Sequence, residues 1–246
     1  MSKVIFSDAR AWRYLMTAIG KIIEEGTLRF TSEGVTLRAM DPSHIIMVDL
    51  NMPKAVFEEY DVTKEEKVGI NFNDFVKILR RATKNDKLGL ELKEGKVAII
   101  FLGASERTFV LPTLSVSEEK LPEPKIPFKA SVRITSTTFR GMLKDIDPVA
   151  ETIKLVCDEG ALKVIGKGSR GEAEVVLTEE SGALIDLSVE EKAEASYSIE
   201  YFKNIAPASQ ASDTVTIRFA TNMPCRLDFE LAGEGRLTFY IAPRVD

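Results

Sequence analysis

The sequence predicts an α+β fold made of two copies of one domain, each with two helices against antiparallel sheets. Three observations predict it: short segments alternate apolar and polar residues, four segments have helical periodicity, and parts of the sequence recur. TSEGVTLRA at 31–39 resembles CDEGALKVI at 157–165, and NFNDFVKIL at 71–79 resembles YSIEYFKNI at 197–205. Both pairs are offset by about 126 residues, which indicates an internal duplication.

Composition and charge set the first limits on function. A chain of 246 residues that is 44% hydrophobic can bury one large or two medium cores. No apolar run approaches the roughly 18 residues of a membrane helix, and MSKVIFSDARAW lacks the apolar core of a signal peptide. We therefore expect a cytoplasmic protein without membrane contact. The formal net charge of -5 argues at first against nucleic acid.

The strands are predicted from segments in which apolar residues alternate with polar ones. Glu-Gly pairs at 33–34, 94–95, 159–160 and 234–235 separate consecutive strands, as expected where a tight turn needs a positive φ. Antiparallel hairpins follow from this arrangement. The segments are TLRFT, IIMVDLNM, KVAIIF, RTFVL, ALKVI, EAEVVL, TVTIRF and LTFYIA.

Four helices are predicted, one after the N-cap Asp8 and others at 74–84, 138–147 and 199–206. Any one polar face could be an ordinary solvated surface, but together they hold ten basic residues against five acidic in an otherwise acidic chain. Such a distribution suits a polyanion held by diffuse, salt-sensitive attraction without base readout. The basic residues are Arg10, Arg13, Lys21, Lys77, Arg80, Arg81, Lys84, Arg140, Lys144 and Lys203.

The boundary between the two copies is predicted from LSVSEEKLPEPKIPFKA, which contains three prolines and a mixed charge cluster. We expect an N-terminal domain at 1–113, an extended connector at 114–130 and a C-terminal domain at 131–246.

Motifs for catalysis or cofactor binding are weak. His44 is the only histidine, and without a Ser or Cys partner motif or a second zinc ligand it is expected to be structural. Cys157 and Cys225 lack CxxC spacing and are expected to be buried thiols. GKGSRG at 166–171 formally matches GxGxxG, but it runs into a strand and predicts a hairpin loop. We expect no enzymatic activity, no cofactor and no metal.

A family resemblance rests on longer stretches of the sequence. GVTLRAMDPSHIIMVDL after a basic amphipathic helix, the duplication, the proline-containing connector and the terminal FYIAPRVD resemble the sliding clamps of the proliferating cell nuclear antigen (PCNA) family. The match spans essentially the whole chain, and MDPSH and YIAPR are its most specific pieces. It implies the DNA clamp fold and a ring-forming trimer, with helices lining a hole through which duplex DNA passes.

The resemblance also implies the function and the partners. A clamp of this family is a processivity factor that binds duplex DNA without sequence specificity and tethers DNA polymerase, flap endonuclease and DNA ligase, and a clamp loader places it on DNA. Partners insert a short PIP-box peptide as an apolar plug, with His44 as a contact or hydrogen-bond donor. The matching pocket residues are Met40, His44, Ile45, Met47, Leu121, Met223, Pro224, Tyr240, Ile241, Ala242 and Pro243.

By the same resemblance, the chain is expected to contact two further clamp subunits, identical or homologous, through edge strands of its sheets. RTFVLPTL at 107–114 of one chain would pair with GEAEVVLTE at 171–179 of the next, since unpaired backbone groups at a sheet edge favour pairing with another strand. Pro207 stands where clamps commonly have a basic residue, so the second domain is expected to hold DNA more weakly, as would suit a heterotrimer. The interface residues are Arg107, Phe109, Leu111, Glu174, Val176 and Leu177.

Two other functions stay open at this point. A checkpoint or repair-type clamp subunit would also encircle DNA, as a signalling platform. A scaffold protein outside the clamps would never encircle it. Retention on circular DNA distinguishes a ring from such a scaffold.

Overall fold

A computed structural model of the chain describes residues 2–116, 120–158 and 160–244. The described residues form two compact units. Residues 117–119 of the predicted connector and Glu159 of a predicted turn lie outside them. Unit 1 comprises the residues up to Pro42, Val48–Leu121 and Glu230–Leu237, and unit 2 comprises Ser43–Met47, Pro122–Phe229 and the residues from Thr238 onwards.

Residues 2–116 contain nine strands and two α-helices. These elements follow the predicted alternation of strands, interrupted by two amphipathic helices. They are β1 Ser2–Phe6, α1 Ala9–Gly20, β2 Glu25–Thr31, β3 Gly34–Met40, β4 Ile46–Pro53, β5 Glu59–Asp61, β6 Glu66–Asn71, α2 Phe72–Leu79, β7 Lys87–Lys93, β8 Lys96–Leu102 and β9 Glu106–Pro112.

The described residues from 120 onwards repeat the same order of elements: one strand, a helix, five strands, a helix and three strands. The duplication predicted from the recurring sequence is therefore confirmed. The elements are β10 Ala130–Thr135, α3 Ser136–Ile146, β11 Thr152–Asp158, β12 Ala161–Gly168, β13 Gly171–Thr178, β14 Leu184–Val189, β15 Ala193–Ser198, α4 Ile199–Ile205, β16 Thr214–Phe219, β17 Cys225–Glu230 and β18 Arg236–Ile241.

Each unit contains antiparallel sheets with one face towards its helices. In unit 1, one sheet has the order β5-β1-β7-β8-β9, and β3, β2 and β6 pair in that order. In unit 2, one sheet has the order β13-β12-β11-β15, and β14, β10, β16 and β17 follow one another in a second group. Strands β9, β13 and β15 are therefore sheet edges.

The hydrophobic core of each unit lies between its sheets and its helix pair. Trp12 of α1 and Phe75 of α2 are essentially fully buried in unit 1. Phe139 of α3 and Phe202 of α4 hold the equivalent positions in unit 2. Burial of each such side chain stabilises its unit by about 1.5–3 kcal/mol, which explains why the amphipathic pattern was readable from the sequence.

The helix predictions are correct in number and partly wrong in their bounds. Asp8 caps α1 as predicted, because its carboxylate accepts the Arg10 N–H at 2.9 Å. The second helix spans 72–79 instead of 74–84. It ends early because the Arg81 N–H donates to the Ile78 carbonyl, three residues earlier, at 2.8 Å. This is the hydrogen bond of a 3-10 turn, and it ends the α-helix. Lys84 therefore lies in a turn and not on a helix.

The Glu-Gly turns are confirmed at three positions and wrong at the fourth. Gly34, Gly95 and Gly160 have φ of 150°, 67° and 86°. Gly235 has φ of -66°, and the positive φ belongs to Gly233 and Glu234 in a 3-10 turn between β17 and β18. The loop there is longer than a tight hairpin, so the left-handed residues come earlier.

Several smaller predictions can be compared with the described residues. Cys157 and Cys225 are buried free thiols, as predicted. Burial together with the Asp158 charge raises the pKa of Cys157 to about 11. The segment 166–171 closes the β12–β13 hairpin, as predicted. In the part of the chain that the structure describes, no group of three or more acidic, His or Cys side chains could hold a metal ion. No helix there is long and apolar enough to cross a membrane.

Candidate functional site

Four of the predicted DNA-facing cations of unit 1 are exposed and have no side-chain partner among the described residues. They follow the ends of the two helices, where their long side chains extend into solvent. Because no carboxylate neutralises them, their full charge is available to a ligand. They are Lys21, Arg80, Arg81 and Lys84.

The other predicted cations of unit 1 have partners within the unit. Lys77 pairs with Asp74, with Nζ 2.9 Å from Oδ1, but both are exposed and the pair is weak. Arg10 lies 3.5 Å from the Asp8 carboxylate. Arg13 donates to the Tyr14 hydroxyl at 2.9 Å and stacks on that ring. Carboxylates therefore offset part of the charge of Arg10 and Lys77, while Tyr14 restrains the Arg13 guanidinium without changing its charge.

Fewer of the predicted DNA-facing cations are without a partner in the described part of unit 2 than in that of unit 1. Arg140 donates from Nη1 to the carbonyl and the hydroxyl of Ser209, both at 3.0 Å, so it braces the turn after α4. Lys203 pairs with Asp147 at 2.7 Å. Of the basic residues predicted here, only Lys144 is exposed without a side-chain partner among the described residues.

A buried carboxylate holds the segment that carries three of these four cations. We call residues 80–86 the basic loop. Asp86 is 2% exposed and accepts the Thr83 N–H at 2.6 Å. Arg107 of β9 forms an ion pair with Asp86 and donates to the Arg81 carbonyl at 3.0 Å. Two elements of unit 1 therefore fix how the basic loop presents Arg80, Arg81 and Lys84.

The predicted interface strands are both sheet edges, and their predicted contact residues differ in exposure. Arg107 is engaged within its own unit, with its guanidinium 5.1 Å from the Phe101 ring centroid. Leu177 is only 5% exposed and packs inward. Leu177 faces away from Glu174 and Val176, because alternate residues of a strand point to opposite faces. Arg107 lies on the same face of β9 as Phe109 and Leu111 and stays partly exposed beside its partners.

Other residues of the two edges remain available. Phe109 and Leu111 are partly exposed, while Glu174 and Val176 point to solvent, with Val176 45% exposed. Val110, which the sequence-based prediction omitted, is 52% exposed. An exposed valine on each edge strand is a feature that a partner strand would cover.

The predicted peptide pocket has an ordered frame in unit 2. The Ala242 N–H donates to the Ile45 carbonyl at 2.9 Å and joins the segment after β18 to the segment before β4. His44 is exposed, with a left-handed φ of 57°. Partly exposed apolar residues beside these contacts could receive a plug. They are Ile45, Met223, Pro224, Ala242 and Pro243.

Other predicted pocket residues are not accessible in this structure. Met47, Tyr240 and Ile241 are at most 5% exposed and belong to the core of unit 2. Met40 and Leu121 belong to unit 1 and are partly exposed there. The buried members therefore act as support for a surface and do not form the surface itself.

A buried ionic network supports the same part of unit 2. Asp228 is 2% exposed and accepts from Arg226 at 2.9 Å, from Thr238 at 2.6 Å and from Arg218. The Arg226 guanidinium lies 5.6 Å from the ring centroid of Tyr240. Sequence reasoning missed this network, since nothing in the local pattern says that a strand carboxylate is buried among arginines.

Comparison with protein-family models accounts for nearly the whole chain. Residues 1–114 match the model described as proliferating cell nuclear antigen, N-terminal domain, and residues 122–244 match the C-terminal domain. The chain belongs to the PCNA family. The family and the fold predicted from the sequence are thus confirmed.

Two relatives of this PCNA-family chain are named as DNA polymerase sliding clamps of archaea. It is 43% identical over 246 residues to DNA polymerase sliding clamp 3 of Aeropyrum pernix, covering 100% of this chain and 99% of the relative. It is 38% identical to the DNA polymerase sliding clamp of Thermofilum pendens, with both chains covered completely. The sliding-clamp prediction agrees with the names of these proteins.

Solved structures of PCNA-family proteins share the fold. PCNA from Thermococcus kodakaraensis superposes with a TM-score of 0.95 and 28% identity, covering 99% of this chain and 100% of that one. A PCNA2–PCNA3 complex from Sulfolobus tokodaii gives a TM-score of 0.94 and 34% identity, with the same coverage.

The contacts of Asp86 in this PCNA-family chain predict a dependence of stability on pH. Burial alone would raise the pKa of Asp86, but hydrogen bonds from Thr83 and the bond and charge of Arg107 lower it below its usual value. A carboxyl whose pKa is lower in the folded than in the unfolded state stabilises the fold. The stabilisation is fully present at pH values above the unfolded pKa of about 3.9, and it is lost as the pH falls through the folded pKa.

The substitution Arg107→Met should therefore weaken the fold at neutral pH and flatten its acid dependence. Urea unfolding midpoints measured from pH 6 down to pH 2 would check this. The variant Arg107→Lys, which keeps the charge but cannot bridge both acceptors, should fall between wild type and Arg107→Met. Identical acid profiles for wild type and Arg107→Met would contradict the assignment.

Proposed function

We propose that the chain is one subunit of a DNA polymerase sliding clamp, in which three subunits close into a ring around duplex DNA. The observation that carries the proposal is the concentration of unpaired cations beside the helices of a PCNA-family chain with net charge -5. Such a clamp holds DNA and its partners and catalyses no reaction. We place it in the cytoplasm, and we keep 1–113, 114–130 and 131–246 as its proposed domains.

Flexible cations that follow short helices suit sliding. Lys and Arg contacts to phosphates are insensitive to sequence, so the ring can move without losing a fixed set of base contacts. Of the predicted DNA-facing cations, four are unpaired among the described residues of unit 1 and one in unit 2, where Arg140 and Lys203 are engaged. Unit 1 would therefore supply most of the phosphate contacts, in line with the weak second domain expected from Pro207.

The partly exposed apolar surface of unit 2 is proposed to receive PIP-type peptides. DNA polymerase, the clamp loader, flap endonuclease and DNA ligase are the partner proteins expected to carry them. Each anchoring side chain contributes about 1.5–3 kcal/mol, so two or three anchors support roughly micromolar binding after ordering costs. His44 would contact the peptide at the rim, since it is exposed.

The edges β9 and β13 are proposed as the contacts between subunits. Their exposed valines and open backbone groups favour pairing with another chain. One of the similar structures is named as a complex of two different PCNA chains, so further subunits of this clamp are either identical or homologous. Light scattering behind a sizing column distinguishes these: a mass near three times 27.3 kDa means a homotrimer, and a mass near 27.3 kDa means that other chains are needed.

Retention on circular DNA tests the proposal. The assembled ring, loaded onto nicked circular DNA together with any further subunits that the mass measurement requires, should stay bound during gel filtration. Linearising the DNA should release it within the same experiment. Equal retention on circular and linear DNA would mean surface binding by a scaffold that does not encircle DNA. A ring that is retained but does not stimulate polymerase would favour a checkpoint or repair-type clamp.

A further inference from the structure

We infer that Tyr197 is a positioning residue for the candidate peptide site, because its hydroxyl fixes the loop that presents Met223 and Pro224. The inference rests on the proposed function, since it concerns the same surface of unit 2. The loop comprises residues 221–224, between β16 and β17, and we call it the 221–224 loop. Tyr197 itself lies in β15, outside the motifs MDPSH and YIAPR.

The Tyr197 hydroxyl donates to the Met223 carbonyl at 2.8 Å. The side chain is fully buried and its ring packs against Phe202, with ring centroids 5.8 Å apart. Burial raises the pKa of Tyr197 far above its usual value, so the hydroxyl remains a hydrogen-bond donor throughout the physiological range. Phenylalanine would fill the same core position, so Tyr197→Phe keeps the ring packing and removes only the contacts of the hydroxyl, with the Met223 carbonyl and with the Cys225 thiol that follows the loop.

The 221–224 loop is attached mainly to one strand. The Asn222 N–H donates to the Glu194 carbonyl at 3.1 Å, and the Glu194 N–H donates to the Thr221 hydroxyl oxygen at 3.2 Å. Asn222 has a left-handed φ of 55°, which asparagine adopts more readily than most residues. The bonds from β15 select this conformation from those open to a loop of a few residues.

The same strand also holds the other side of the candidate site. The Arg244 N–H donates to the Ser196 carbonyl at 2.7 Å, which fixes the segment that contains Ala242 and Pro243. Strand β15 is a sheet edge, so its outward backbone groups are available for these contacts. A single edge strand thus aligns both apolar segments that a peptide would cover.

The position of the 221–224 loop affects peptide binding because its residues form part of the surface and are not held in place by burial in the core. Met223 and Pro224 are partly exposed, whereas Tyr197 beneath them is not. If the hydroxyl is removed, the loop samples conformations that do not match the peptide, and binding must restore the competent one. The measured affinity falls by the fraction of molecules that are competent.

The experiment compares Tyr197→Phe with the matched variant Tyr60→Phe. Tyr60 donates its hydroxyl to the Thr31 carbonyl at 2.7 Å in unit 1, and burial raises its pKa to about 12, so the two variants lose the same type of bond. Binding of a synthetic PIP-box peptide is measured by calorimetry, and its dissociation rate by surface plasmon resonance. Tyr197→Phe should bind about three- to tenfold more weakly, mainly through faster dissociation, while Tyr60→Phe binds as wild type does.

Hydrogen exchange provides a readout that needs no peptide. The Asn222 and Met223 amides should exchange several-fold faster in Tyr197→Phe than in wild type, and Tyr60→Phe should leave them unchanged. Unchanged exchange, or an affinity loss of equal size in both variants, would overturn the inference. A wild-type protein that binds no peptide would refute the proposed pocket instead, while faster exchange in Tyr197→Phe would still support the loop assignment.

Discussion

Replacing Arg80 and Arg81 by glutamate is expected to lower DNA retention at moderate salt by on the order of a hundredfold. Both side chains are exposed, unpaired among the described residues and carried by the basic loop, so each is available to bind a phosphate. Glutamates at these positions also repel the phosphates. The slope of log affinity against log salt should fall in magnitude by about one for each phosphate that a subunit no longer neutralises.

A charge-matched control separates this local effect from bulk charge. Lys64→Glu with Lys96→Glu changes the net charge equally, and both lysines are exposed in unit 1 outside the basic loop. The control should change DNA affinity by only a few-fold. Filter binding over a salt series, with peptide calorimetry and solution mass measured for each variant, makes the comparison. Equal losses in both double variants would mean that the basic loop has no special role in DNA binding.

The substitution Asp228→Ala is expected to destabilise unit 2 by about 1.5–3 kcal/mol. It would remove the carboxylate that Arg218, Arg226 and the buried Thr238 hydroxyl all contact, and Asp228 is only 2% exposed. The two arginine side chains are 35% and 17% exposed, so water replaces part of the lost interaction and the effect stays below that of a fully buried, unpaired charge. Urea unfolding followed by circular dichroism measures the loss.

Two further variants show whether the charge itself is responsible. Asp186→Ala removes an exposed carboxylate from β14 of the same unit and should change stability by less than about 0.5 kcal/mol. Replacing Arg218, Asp228 and Arg226 together by Met, Leu and Met should recover much of the loss, since no unpaired charge remains. A triple variant as unstable as Asp228→Ala would show that packing, and not charge pairing, accounts for the effect.

The Asp228 network also bears on partner binding. Arg226 lies against the Tyr240 ring, and Tyr240 lies beneath the apolar surface proposed for peptides. Loss of the carboxylate would free Arg226 from this position. Support for a binding surface can therefore come from residues that no peptide touches, as in the case of Tyr197.

Local patterns in the sequence were enough for the fold and the family. The period of apolar residues located four helices, Asp8 marked the start of α1, and the recurrence near 126 residues revealed the duplication, as the repeated order of elements confirms. These features are readable because helix and strand periods and capping groups act over a few residues. The motifs MDPSH and YIAPR then indicated the family.

The orientation of side chains at the proposed sites, and the ion pairs they form, depend on contacts between residues that are distant in the sequence. Alternation along β9 and β13 separates two faces of each strand, but it does not say that Arg107 turns inward to Asp86 while Val110 stays exposed. Nor does it predict that α2 stops at Leu79, because the bonds that close the basic loop come from Asp86 and Arg107. A carboxylate in a strand looks the same in sequence whether it is solvated or buried.

Residue patterns along the chain thus specify the duplicated α+β fold, the PCNA family and the set of cations from which a DNA-binding surface is drawn. Contacts between distant residues specify which of these cations remain free, which pocket residues are accessible and which buried groups hold them in place. The two differ because periodicity reports burial along one element, whereas ion pairs such as Asp228 with Arg218 and hydrogen bonds such as Tyr197 to Met223 join separate elements.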